Sequence, residues 1–234
     1  MKIVFTPDWF LGIDVLINLF SFLILAVFFF LSLRSYKTSK KKNSLYLGIG
    51  FLLIALAQLA AILTKTVLYY DTTFTNSVGR AIVTYHLVQS VDIFYYIGFF
   101  LQRLLALAGL FIIYRIYRRE KHLSDLFLIV YLLTISASVS TQTQYIFHFT
   151  ALILTLLIIN NYIKLYKLNK NQNTLLLIAG FCILALSSTI FALSKINSNW
   201  DVAANIIELV SYSVFLAVII RILKVPKAIN KRAY

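Results

Sequence analysis

Charge is scarce in this sequence. Only 13% of its 234 residues are Asp, Glu, Lys or Arg, against about a quarter in soluble domains. So few charges cannot cover a water-facing surface. With 61% of residues hydrophobic, the surrounding solvent must be lipid. Proline is almost missing: Pro7 and Pro226 both fall outside the long apolar runs, so nothing in those runs forces a break. The single cysteine, Cys182, sits in an apolar segment. It excludes an internal disulfide, a thiol pair and a cysteine metal site. The segment after Met1-Lys2 has no basic region and no small-residue cleavage site, so no removable signal peptide is expected. Phosphate-binding glycine loops, zinc spacings and paired catalytic groups are also missing. The expectation is therefore no enzyme, no cofactor and no metal.

What is present is a series of apolar runs, each close to the roughly 20 residues that span a bilayer. Seven qualify: Phe10–Leu33, Leu45–Tyr69, Ser90–Ile113, Leu123–Thr141, Tyr145–Ile163, Leu175–Leu193 and Val202–Leu223. The predicted fold is all-α, an integral membrane bundle of seven transmembrane helices forming one domain, 1–234. The fourth run is the weakest, because Thr134, Ser136, Ser138 and Ser140 interrupt its second half.

Basic residues alternate between loops. Arg34, Lys37, Lys40, Lys41 and Lys42 form one cluster, and Arg115, Arg118, Arg119 and Lys121 a second. Lys164, Lys167 and Lys170 form a third, and Arg221, Lys224, Lys227, Lys231 and Arg232 close the chain. Together they are most of the 22 basic residues. The positive-inside rule puts that side in the cytoplasm. The N-terminus is then outside and the basic tail, 224–234, inside. Asp8, Asp71, Asp92 and Asp201 lie opposite, and Trp9 and Trp200 mark outer helix ends. The net charge of +14 thus reads as topology rather than nucleic-acid binding, for which no recognition motif exists. The expected partners are anionic lipid headgroups at the cytoplasmic face of the plasma membrane and a membrane or cytoplasmic signalling protein.

The halves of the chain repeat. With a shift of 130 residues, Tyr36, Lys37, Lys40, Asn43, Leu45, Leu47, Gly50 and Phe51 fall on Tyr166, Lys167, Lys170, Asn173, Leu175, Leu177, Gly180 and Phe181. Arg115-Ile116 meets Arg221-Ile222 at a shorter offset. This gives a 3 + 1 + 3 plan: repeat 1 about 10–117, a linker helix about 123–141 and repeat 2 about 145–223. The plan resembles the SWEET sugar transporters and PQ-loop proteins in architecture. The intramembrane prolines of those families have no counterpart here, so none of their functional residues carries over. The Tyr-Lys…Asn-(Ser/Thr)-Leu-x-Leu-x-x-Gly-Phe pattern is also similar to seven-helix membrane proteins of prokaryotes, some of them input domains of signalling proteins. That resemblance implies a sensing role.

Ionisable groups at membrane depth are costly and turn inward. Arg103 lies mid-way along the third run beside Gln102. Gln102 precedes Arg115 by 13 residues, as Glu208 precedes Arg221. Gln58 and Ser188 each follow a matched asparagine by 15. All four therefore sit roughly 20 Å above the cytoplasmic anchors, with Arg103 one residue away and long enough to reach Glu208. Two readings of Gln58, Gln102, Arg103, Ser188 and Glu208 stay open: a structural network tying helices together, or a ligand-binding layer on the pseudo-two-fold axis. Other residues carry weaker signals. Asp14 and Asn18 are one turn apart; His86, Asp92 and His148 could approach one another; Lys65 and Lys195 would snorkel to water. His122 is isolated, and the Phe28–Phe30 run and the tyrosines are expected at lipid or interface. The function expected is a small-ligand or lipid sensing module acting with a partner, with a transporter of a small polar solute as the alternative.

Overall fold

The computed structural model describes residues 7–69, 90–116, 123–137, 144–194, 197 and 199–230. Within them the chain is helical throughout. A short 3-10 turn, Asp8–Phe10, precedes seven α-helices: α1 Ile13–Ser39, α2 Lys42–Tyr69, α3 Ser90–Arg115, α4 Leu123–Ala137, α5 Gln144–Asn169, α6 Gln172–Leu193 and α7 Asn199–Asn230. Helices are what lipid permits, because each satisfies its backbone hydrogen bonds internally.

Six of the seven are long and apolar enough to cross a membrane; α4 is not. Its 15 residues span about 22 Å, short of the roughly 30 Å hydrocarbon core. Residues 138–141 of the expected fourth span lie outside the described residues. The backbone of α7 runs on through Pro226 to Asn230, so the segment expected as a tail after the last span is largely helical.

The six long helices close into a ring. Neighbours pack in the order α1, α2, α3, α5, α6, α7 and back to α1, while α4 leans on the outside against α3. Exchanging α1, α2 and α3 for α5, α6 and α7 leaves this order unchanged.

Each helix turns one stripe inward. On α1 the buried residues are Asp14, Asn18, Ser21, Leu25, Phe28 and Ser32, spaced by alternate threes and fours as one helix face requires. Leu16, Phe20, Leu23, Val27 and Phe30 point outward, where lipid would cover them. At the centre Phe28, Phe51, Phe181 and Phe215 meet in contact pairs 4.2 to 6.3 Å between ring centroids. Phe28 is thus core, at 1% exposure, and only Phe30 of its run is strongly exposed. Tyr162 and Tyr212 are likewise buried. Apolar rings fill the ring of helices at this level because no lipid reaches it.

Small residues set the closest approach. A Cβ on Gly109 of α3 would lie 2.6 Å from the Gly50 carbonyl oxygen of α2, so two backbones touch there. Ser187 donates to the Ala204 carbonyl and Ser211 to the Gly180 carbonyl, each at 2.9 Å. These bonds fasten α6 to α7.

The α1–α2 and α5–α6 turns are built alike. Lys40 and Lys170 occupy the left-handed region, with φ of 54° and 45°. Each donates its N–H to a tyrosine carbonyl, Tyr36 or Tyr166, at 2.7 Å. This is the left-handed helix stop in which glycine is usual.

Candidate functional site

The ring of helices encloses a cavity of about 150 Å³, room for on the order of ten water molecules. Every ring helix contributes to its wall. Asn18 comes from α1; Ile54, Gln58 and Lys65 from α2; Gln102, Arg103 and Leu110 from α3. Phe147 and His148 of α5, Ser187, Ser188 and Phe191 of α6, and Asp201, Asn205, Glu208 and Tyr212 of α7 complete it. Along α7 the lining runs from Asp201 to Tyr212, about 16 Å of helix. Its Asp201 end lies at the bundle end opposite the Lys40 and Lys170 turns, where α1, α5 and α7 begin and α2 ends.

All five polar residues singled out by depth, Gln58, Gln102, Arg103, Ser188 and Glu208, line this one cavity. Gln58 donates from Nε2 to Glu208 Oε1 at 2.9 Å and lies 3.3 Å from the Tyr212 hydroxyl. Tyr212 in turn donates to the same Glu208 oxygen. Ser188 is spent locally, donating to the Leu184 carbonyl one turn back at 3.1 Å. Gln102 Oε1 is buried and accepts no hydrogen bond. A buried acceptor left unmet is uncommon in folded proteins and usually marks a place for water or a ligand.

Arg103 does not reach Glu208: no salt bridge joins the two among the described residues. The Arg103 guanidinium lies over the Phe147 ring, 5.6 Å from its centroid, a cation–π arrangement. Gln58 and Tyr212 fill the place at Glu208 that the arginine was expected to take.

Between described residues an ion pair does form at Lys65–Asp14, at 2.9 Å, with Asp14 fully buried and Lys65 12% exposed. Asp14 Oδ1 also accepts the backbone N–H groups of Gly12 and Val15. Lys65 therefore turns inward instead of snorkelling to water. The sequence hint was present in Asp14 and Asn18 one turn apart on α1, but nothing in it named the partner helix. Tyr212 was missed because it was grouped with interfacial tyrosines. Its position four residues after Glu208, on the same helix face, was the usable signal. Asn205, which donates to the Asp201 carbonyl at 2.7 Å, follows the same spacing.

His148 stacks on Phe191, with centroids 4.7 Å apart and planes 14° from parallel. Among the described residues no group of His, Cys, Asp and Glu could hold a metal ion. His86, His122 and Lys195 lie outside the described residues.

Fold and cavity together define the class: a multi-pass helical membrane protein with a partly polar cavity within a six-helix ring. No protein family model, curated protein or solved structure matches the chain.

Proposed function

We propose that this chain is a non-enzymatic solute-responsive module of the plasma membrane, binding a small polar ligand in the central cavity and passing the change to a partner protein. One observation carries the reading: a polar cavity walled by all six long helices, with Gln102 among its lining residues and the Gln102 Oε1 acceptor buried without a partner. A purely structural network would satisfy its own acceptors and leave no space of this size. A ligand there contacts every ring helix, so it can bias how they pack against one another.

In this reading the N-terminus is outside, α4 with the residues after it forms a seventh crossing, and the cavity faces outward. The basic turns meet anionic lipid and a signalling partner on the cytoplasmic face. The two similar Lys40 and Lys170 turns and the exchangeable helix order support a duplication in which α1–α3 and α5–α7 are parallel repeats joined by α4.

The same exchangeable order favours a second reading, transport of the solute by alternating access between the two triplets. Against it, the ring helices carry no proline near the cavity. A solute panel screened by thermal shift, with wild type compared with Gln102→Leu, tests the binding claim. A solute that stabilises the wild type saturably and not the variant supports it, and no such solute removes it. Uptake of that solute into proteoliposomes then separates transport from sensing.

A further inference from the structure

We propose that the cavity takes a solute carrying a small primary ammonium group, docked on Glu208 through Oε2; this rests on reading the cavity as a solute site. Both donors to Glu208, Gln58 and Tyr212, are neutral and both bond Oε1. Oε2 receives no hydrogen bond from a described residue, and Glu208 lines the cavity. A carboxylate withdrawn from water is costly unless a countercharge meets it.

Among the described residues no cation forms a salt bridge with Glu208. Asp14, Asp201 and Glu208 outnumber Lys65 and Arg103 by one. Lys65 is committed to Asp14 at 2.9 Å. Arg103 lies over Phe147, and His148 stacks on Phe191 and meets Phe147 edge-on. A bound cation would balance the charges of these described residues.

The shape and chemistry of the remaining wall select the kind of cation. A bare metal ion asks for roughly six oxygens close around it. The described residues hold no such acidic cluster, and 150 Å³ is far more room than an ion needs. An ammonium offers three N–H donors and no acceptor. Glu208 Oε2 is an acceptor without a described donor, and Gln102, whose buried Oε1 also has none, lines the same cavity. Asn18, only 5% exposed, lines the cavity with its amide in no described hydrogen bond. Ile54, Leu110 and Leu184 give apolar wall for a short carbon chain.

Propylammonium and 1-propanol are probes of nearly equal size that differ in charge. Isothermal titration of the full chain in nanodiscs should show propylammonium binding at least about tenfold tighter, and Glu208→Gln should abolish that preference. If the glutamine variant does not fold, Glu208→Asp, which retracts the carboxylate by one methylene, is expected to reduce it. Equal binding of the two probes, or a preference that survives substitution, overturns the ammonium assignment. So does saturable binding of glycerol, urea or acetate at this cavity with none of propylammonium, an outcome that leaves the solute-site reading intact. Failure of every probe to bind overturns both.

Discussion

Phe51 of α2 and Phe181 of α6 stack on one another at the centre of the ring, with centroids 6.3 Å apart and planes 22° from parallel. Both are fully buried. They are also 130 positions apart, the offset that relates the Lys40 and Lys170 turns. A residue stacked on its own repeat mate is what a pseudo-two-fold axis between α2 and α6 would give. Phe51→Ala and Phe181→Ala should each destabilise the bundle by about 3 kcal/mol. The double variant should cost less than the sum, because the two share one cavity. Reversible unfolding in mixed micelles measures this; simple additivity would mean that the rings do not stabilise one another.

The Lys65–Asp14 pair joins the end of α2 to the start of α1. Removing one partner strips a buried charge of its ion pair, so Lys65→Met or Asp14→Leu should each cost about 3 kcal/mol. Removing both should cost much less than either alone. A double-mutant cycle on thermal unfolding checks this, and equal losses in all three variants would contradict the pairing.

The sequence made most of the helices readable, and the reason is physical. Lipid demands long apolar helices, so six of the seven expected spans appear as long helices, α1 to α3 and α5 to α7, beginning within a few residues of expectation, while α4 falls short. Gln58, Gln102, Ser188 and Glu208, chosen by helix rise, line one cavity. Partner choice was not readable. Arg103 is long enough to meet Glu208, but the rotation of α3 sends it to Phe147, and rotation depends on packing such as Gly50 against Gly109. Lys65 shows the same limit. Snorkelling and an inward ion pair look alike until α1 is placed beside it.

Charge reversal separates the two pictures of Glu208. Arg103→Glu combined with Glu208→Arg should give no recovery over the single variants. Tyr212→Phe, which removes a hydrogen bond to a buried carboxylate, should destabilise by about 2 kcal/mol. Melting temperatures of the purified variants test both, and recovery in the swapped pair would restore the arginine as the partner.

Lys40 and Lys170 hold left-handed backbone that costs a side-chain-bearing residue about 1 kcal/mol or more. Lys40→Gly and Lys170→Gly should therefore be neutral or stabilising by up to about 1 kcal/mol, with part of the gain offset by glycine's greater freedom when unfolded. The two changes should behave alike. Marked destabilisation by either, in the same unfolding measurement, would show that the lysine side chain matters more than the turn.

As proposed, the cavity beside Glu208 is a solute chamber open to the side opposite the basic turns. Asn18 lines it. With the exposed Cys182 replaced by alanine, Asn18→Cys can be probed in intact cells with a membrane-impermeant thiol reagent bearing a small ammonium head. Labelling from outside the cell, slowed by propylammonium, is the expected result. Labelling only after the cytoplasmic face is exposed, or none from either side, would contradict it.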